Sequence, residues 1–148
     1  MAELSIYGWM FFTALVAGTF LPFLPASSEL VLTGLLAARQ GDVSSLIVAA
    51  TVGNVLGAII NFFVGRYVSD LAGRRWFPVT EQQMERASTH FQRYGVWILL
   101  MTWLPVLGDV ISVVAGLLRT DFKLFLVLMS IGKFVRYVVI AAGVGWFQ

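Results

Sequence analysis

Residues 24–36 read LPASSELVLTGLL, and residues 104–118 read LPVLGDVISVVAGLL. Both stretches open with Leu-Pro, carry an acidic residue four positions after the proline, Glu29 or Asp109, and close with Gly-Leu-Leu. The second stretch is two residues longer before its glycine. Self-similarity of this kind indicates that the chain is built from two copies of one unit.

The repeat continues into a long apolar stretch in each copy. Asp42 precedes Asn54 by twelve residues, and Asp121 precedes Lys133 by the same interval. The apolar stretches at 43–65 and 122–147 contain no proline, and each is long enough to cross a hydrocarbon layer of roughly 30 Å. We therefore predict a transmembrane helix in each copy.

The stretches that precede these two helices are interrupted. Residues 5–38 are broken at Pro22 and Pro25, and residues 96–118 are broken at Pro105 and Gly108. Proline lacks the backbone N–H and disfavours helix at the residue before it. The helix that follows the first break reaches only about 20 Å, too little to span the hydrocarbon. We predict a re-entrant helical hairpin in each copy.

Composition supports a membrane protein with a single domain over residues 1–148. Hydrophobic residues make up 59% of the chain and charged residues 12%, against about a quarter charged in an ordinary soluble domain. The predicted fold is an all-α integral membrane protein with two inverted repeats, each a re-entrant hairpin followed by a transmembrane helix. No basic cluster lies outside the central segment, so nucleic acid is not an expected partner.

Residues 66–95 separate the two copies and predict a cytoplasmic segment with an amphipathic helix on the membrane interface. If both hairpins are re-entrant, one side of the membrane holds most basic residues, which the positive-inside rule makes cytoplasmic. That side would hold Arg66, Arg74, Arg75, Arg86, Arg93, Arg119 and Lys123, against Arg39 opposite. Four of them, Arg66, Arg74, Arg75 and Arg93, are expected to contact lipid.

The hairpins then enter the membrane from opposite faces, as in transporters with inverted repeats. A full crossing by residues 96–118 would instead move Arg119 and Lys123 to the outside and weaken the charge bias.

Charged side chains inside the apolar stretches are the expected functional site. Glu29 and Asp109 begin the two half-helices, where unpaired N–H groups favour an anion. Lys133 and Arg136 lie one turn apart in the last span. Unpaired charges in the membrane are costly, so we predict that two acids and two bases form one cluster on a substrate or proton pathway. Ser27 and Ser28 add possible donors beside Glu29.

Less specific interpretations stay open for each of these groups. The acids and the two serines could simply cap helix ends. Lys133 and Arg136 could extend toward lipid phosphates. Asn54 lies in Gly-Asn-x-x-Gly, which favours close helix contact over a direct role in a pathway.

The sequence predicts no catalytic residue, no metal site and no cofactor. The chain has no cysteine, and His90 is its single histidine, placed on the interfacial helix. A histidine metal cluster or a deep serine–histidine pair therefore cannot be assembled.

Several short motifs together resemble the DedA superfamily, also called VTT or SNARE-associated proteins, and most closely its short YqaA-like branch. The motifs are Pro25-x-x-x-Glu29, Gly53-Asn54-x-x-Gly57 with Gly65-Arg66, Phe91-Gln92-Arg93-Tyr94-Gly95, Trp103-Leu104-Pro105 and Ala115-Gly116. The resemblance implies two facing re-entrant hairpins in a multi-pass protein of the bacterial inner membrane. It also implies movement of lipids, including phosphate-bearing carrier lipids, between leaflets.

The sequence departs from this family in the second hairpin. Members with assigned transport typically carry arginines two residues before and three residues after the proline, where this chain has Thr102 and Gly108. Lys133 and Arg136 are the residues that could supply the positive charge instead.

The expected function is a lipid flippase or scramblase, gated by protonation of Glu29 or Asp109, with membrane lipids and lipid phosphates as partners. Two other functions share these residues: a non-transporting assembly or quality-control protein, and a proton or ion transporter without a lipid substrate. A second copy of the chain is a further partner that the sequence leaves open.

Overall fold

The elements that the structure describes are helices. The computed structural model describes residues 2–19, 27–70, 81–100 and 107–146. In chain order the helices are α1 (Ala2–Gly18), α2 (Ser27–Ala37), α3 (Val43–Ser69), α4 (Glu81–His90), α5 (Val96–Leu100), α6 (Leu107–Leu117) and α7 (Phe122–Trp146). A π-helical turn at Phe91–Gly95 joins α4 to α5. The expected all-α class is confirmed for these residues.

Helix lengths follow the apolar pattern of the sequence. With 27 and 25 residues, α3 and α7 extend about 40 and 37 Å, and both are long and apolar enough to cross a membrane. The spans predicted at 43–65 and 122–147 are thus present as helices, and α3 continues to Ser69. At 11 residues each, α2 and α6 extend only about 16 Å.

Helices end or begin on both sides of the two predicted breaks. Pro25 lies between α1 and α2, and Pro105 lies between α5 and α6. Both prolines are outside the described residues. Gly108, which we expected within the second break, lies instead in the first turn of α6. The segment predicted to be interfacial contains α4, whereas its Arg74 and Arg75 lie outside the described residues.

Both long helices bury polar residues and expose apolar ones. On α3, Asn54, Asn61 and Ser69 are buried, and on α7 Lys133 is 1% exposed. The exposed side chains on α3 recur at about one-turn spacing; they are Val48, Val52, Leu56, Ile60 and Val64. Those on α7 include Val127, Ile131 and Val135. Water would favour the reverse arrangement, whereas hydrocarbon around the bundle favours this one.

Glycines bring α3 close to its neighbours. A methyl group at Gly57 would overlap the backbone of Gly18 on α1, and one at Gly116 on α6 would overlap the carbonyl oxygen of Phe62 on α3. Small residues are what allow membrane helices to approach so closely. Helix α3 also contacts α7, and α7 contacts α2. Each long helix therefore packs against the short helix of the other copy.

The connections before α3 and α7 have the same construction. Arg39 (φ 52°) and Arg119 (φ 55°) both adopt the left-handed conformation just after α2 and α6. The amide of the next residue bonds back five residues, from Gln40 to Leu35 and from Thr120 to Ala115, which closes a Schellman cap. Both positions carry arginine where glycine is the usual residue.

An aspartate then begins each long helix. The Asp42 carboxylate accepts the Ser45 N–H at 2.9 Å, and the Asp121 carboxylate accepts the Leu124 N–H at 3.0 Å. Hydrogen bonds from the backbone N–H and hydroxyl of Ser45 hold the pKa of Asp42 below its ordinary value. The repeat seen in the sequence is therefore also a repeat of local structure.

Candidate functional site

Three polar side chains of α7 lie on one face of that helix. Arg136 follows Lys133 by three residues, and Tyr137 follows Arg136 by one. At 3.6 residues per turn, these steps place the three side chains within about 100° of the helix circumference. Lys133 and Tyr137 are each 1% exposed. This face is directed toward α2 and α3, where its side chains contact Glu29, Ser28 and Asn54.

Glu29 and Arg136 form an ion pair between α2 and α7. The guanidinium Nη2 of Arg136 donates to Oε1 of Glu29, and their side chains are 11% and 24% exposed respectively. Glu29 lies in the first turn of α2, where the helix dipole also favours a negative charge. The pair joins the short helix of the first copy to the long helix of the second.

Lys133 contacts the polar residue of the glycine motif. Its Nζ donates to Oδ1 of Asn54 on α3. The amide nitrogen of Asn54 in turn donates to the carbonyl oxygen of Ala14 on α1, at 3.3 Å. One hydrogen-bonded chain therefore runs from α7 through α3 to α1. In a separate contact, Asn61 Nδ2 donates to the carbonyl oxygen of Gly18 at 2.8 Å and gives a partner to a carbonyl group in the last turn of α1.

A third contact lies beside the ion pair. The hydroxyl groups of Ser28 and Tyr137 are 3.2 Å apart and buried. The Arg136 guanidinium carbon lies 6.0 Å from the centre of the Tyr137 ring. Tyr137 thus supports the arginine on one side and binds α2 on the other.

These contacts bring together most of the residues that the sequence singled out. Glu29, Ser28, Asn54, Lys133 and Arg136 all take part. The side chains of Ser27 and Asp109 lie outside what the structure describes, so the predicted second acid stays a prediction.

Sequence reasoning missed Tyr137 and the contact between Asn54 and Lys133. Tyr137 had a usable signal, because it is a hydroxyl-bearing residue next to Arg136 in an apolar span. For Asn54 the close-packing interpretation holds, since a methyl group at its neighbour Gly53 would overlap the carbonyl oxygen of Phe11. The same amide nevertheless also meets a buried charge.

Two basic side chains, Lys133 and Arg136, lie together in this site. Arg136 faces the Glu29 carboxylate, and Lys133 contacts the amide oxygen of Asn54. Within the described part of the chain, no three histidine, aspartate or glutamate side chains lie close enough to hold a metal ion.

Comparison with known proteins identifies the family. A family model described as the VTT domain matches residues 24–145, which include both copies of the repeat. The chain belongs to the VTT domain family. Within that family, it is 34% identical to the inner membrane protein YqaA of Escherichia coli (strain K12), over 91% of this chain and 94% of that protein.

Other relatives are longer than this chain. It is 28% identical to undecaprenyl phosphate transporter A of Staphylococcus aureus (strain NCTC 8325 / PS 47), over 76% of this chain and 60% of that protein. It is 30% identical to an alkaline phosphatase-like protein of Lactococcus lactis subsp. cremoris (strain MG1363), over 81% of this chain and 62% of that protein. No solved structure matches the chain significantly.

The family confirms two expectations from the sequence. The resemblance to the DedA/VTT group and its YqaA-like branch is confirmed by the family match and the relatives. The expected location is confirmed as well, because this VTT protein has two membrane-capable helices and its YqaA relatives are inner membrane proteins of bacteria. The protein is thus an integral protein of a bacterial inner membrane.

Proposed function

We propose that this protein moves phosphate-bearing lipids between the leaflets of the membrane. The observation that carries the proposal is the ion pair of Glu29 with Arg136, next to the buried Lys133, at the contact between the two copies. Ionisable groups placed at depth in a membrane bundle mark substrate or proton pathways. The transporter name of the Staphylococcus aureus relative supports a lipid phosphate as the substrate class.

Stability alone is a weak reason for such a pair. Removing two charges from water costs several kcal/mol per ion, and well-packed apolar residues of the same volume are often equally stable. The surrounding helices already pack through glycine contacts and two apolar clusters. The charges therefore favour a role in which they change partners.

Exchange of partners at Arg136 gives a simple mechanism. In the resting protein its guanidinium binds the Glu29 carboxylate. When Glu29 takes up a proton, the carboxylate becomes neutral and the guanidinium can bind a phosphate oxygen of a lipid head group. Loss of that proton restores the ion pair and releases the phosphate.

Depth and symmetry are consistent with an inverted repeat around this site. Asn54 and Lys133 occupy the same position in the two copies, each twelve residues after the capping aspartate, and they contact each other. Twelve residues correspond to about 18 Å, near the middle of a hydrocarbon layer of roughly 30 Å. Equivalent residues meet in this way close to a two-fold pseudo-axis.

The orientation of the hairpins can be tested by cysteine labelling, since the chain has no cysteine of its own. In the proposed topology Gln40→Cys reacts with an impermeant maleimide from the periplasmic side only. Lys123→Cys reacts from the cytoplasmic side only. Labelling of both positions from the same side would show that residues 96–118 cross the membrane fully and that the repeat is not inverted.

Reconstitution tests the function itself. Proteoliposomes with the protein should move labelled phosphatidylglycerol or undecaprenyl phosphate from one leaflet to the other faster than protein-free liposomes, and a pH gradient should change the rate. Movement of neither lipid at any pH gradient would exclude lipid transport. Proton flux without lipid movement would instead support the ion-transporter alternative.

A role in assembly or quality control remains the main alternative of a different class. In that case the charges serve only to fix the packing of α2 against α7. Glu29→Gln then leaves activity unchanged as long as the protein folds, whereas the transport proposal requires its loss.

A further inference from the structure

A second polar site lies where α3 ends and α7 begins. A groove of about 780 Å³ runs between the end of α3, the π-helical turn and the connection from α6 to α7. Its polar wall contains Arg66, Gln92, Arg119 and Thr120. In the proposed topology this groove faces the cytoplasm. Its volume lies within the range of pockets that hold small ligands.

Thr120 gives the clearest sign of a missing partner. Its side chain is 2% exposed, and its hydroxyl oxygen is the one buried side-chain polar atom without a hydrogen-bond partner among the described residues. Leaving a buried hydroxyl unsatisfied costs free energy, so native proteins seldom do so without a reason. A ligand in the groove would supply the partner.

The charges of the groove favour an anion. Arg66 and Arg119 both line it, and Arg119 is held by Ser69 Oγ at 3.2 Å and by Asp70 Oδ1 at 3.3 Å. Both side chains of the Arg119–Asp70 pair are more than half exposed, and exposed ion pairs of this kind contribute little. The contact with Asp70 can therefore give way to another anion at small cost, while the bond from Arg119 Nε to Ser69 is kept. Asp121 also lines the groove, so two guanidinium groups there stand against one carboxylate.

The floor of the groove is aromatic. Phe62, Phe63 and Phe122 line it, with ring centres 5.5–5.7 Å apart. Phe63 is 53% exposed on the outer face of α3, where lipid chains would lie. A groove with cations at one end and an aromatic, lipid-facing side fits an amphiphile better than a free ion.

We infer that this groove binds a lipid phosphate, with the phosphate between Arg66, Arg119 and the Thr120 hydroxyl and an acyl chain against the phenylalanines. The inference goes beyond the transport pathway, since the groove contains none of the residues of the Glu29–Arg136 site. Binding here is expected whether or not the protein transports lipid. It would hold a substrate or a regulatory lipid at the cytoplasmic surface.

Binding can be measured on the purified protein in dodecyl maltoside, with dioctanoyl phosphatidic acid as the probe. Dioctanoylglycerol has the same chains without the phosphate, and inorganic phosphate has the charge without the chains. We expect the dissociation constant for phosphatidic acid to be at least tenfold lower than for either control. Equal binding of dioctanoylglycerol or of inorganic phosphate would overturn the inference.

Thr120→Val is the sharpest variant because valine has the same shape without the hydroxyl. It should weaken phosphatidic acid binding about tenfold, the loss of one hydrogen bond to a charged group. In the absence of lipid, its melting temperature should equal or exceed that of the wild type, since an unsatisfied hydroxyl has been removed. Unchanged binding would overturn the inference, and so would a lower melting temperature, because the hydroxyl would then have a structural partner.

Arg119→Gln should weaken binding by tenfold or more. Arg39→Gln is the matched control, because Arg39 has the same cap position and backbone conformation after α2 but does not line the groove. The control should bind like the wild type. The double variant Glu29→Gln and Arg136→Gln removes the guanidinium of the other site. If it still binds phosphatidic acid while wild-type proteoliposomes move no lipid, the groove site stands and only the proposed transport is overturned.

Discussion

Replacing Arg136 with glutamine is expected to lower the free energy of unfolding by about 3 kcal/mol, because the Glu29 carboxylate loses its charged partner. This loss lies at the lower end of the range for breaking a buried ion pair, because the Glu29 side chain is 24% exposed and therefore partly solvated. Unfolding of the purified variant in detergent micelles, followed by circular dichroism at neutral pH, measures this loss.

The double variant Glu29→Gln and Arg136→Gln serves as the control. It removes both charges but keeps side chains that can hydrogen bond, so most of the lost stability should return. A double variant as unstable as Arg136→Gln alone would contradict the pairing of these two residues. The coupling between the two substitutions gives the interaction free energy directly.

Adding one methyl group at Gly116 is expected to prevent normal packing of α6 on α3. In Gly116→Ala the new carbon would overlap the backbone carbonyl of Phe62, and two helix backbones cannot separate without disturbing their other contacts. We expect a loss of at least about 3 kcal/mol, the upper end for overpacking. Melting temperature and the yield of monodisperse protein in detergent report the effect.

The matched control is Gly34→Ala, which changes the same Gly-Leu-Leu position in the first copy. Nothing lies within 4 Å of a methyl group there. Alanine is the better helix former by about 1 kcal/mol, so this variant should be as stable as the wild type or slightly more. An equal loss of stability from both substitutions would contradict the close contact of Gly116 on α6 with the backbone of α3.

The two glycines also show what the repeat in the sequence can and cannot predict. The pattern aligns Gly34 with Gly116 through Gly-Leu-Leu, but the helix caps do not, because the left-handed Arg39 follows Gly34 by five residues whereas Arg119 follows Gly116 by three. The pattern also does not show that, of these two glycines, only Gly116 meets another backbone. Which face of a short helix lies against a long one depends on the packing of the whole bundle, and a single sequence does not encode that visibly.

The residues of the candidate site divide in the same way. Glu29, Lys133 and Arg136 were predicted because charges are rare in apolar stretches and costly there unless paired. Which acid meets which base was not predictable, since it depends on the relative rotation of α2 and α7. Thr120 had no signal at all, because an orphaned hydroxyl exists only once its surroundings are known.

Lipid movement by the charge-neutral double variant tests the central proposal most directly. Glu29→Gln with Arg136→Gln should be folded in proteoliposomes, yet it should move labelled phosphatidylglycerol at least roughly tenfold more slowly than the wild type, because no guanidinium remains to exchange a carboxylate for a phosphate. A double variant that moves this lipid at the wild-type rate would contradict the account and leave the buried ion pair with a purely structural role.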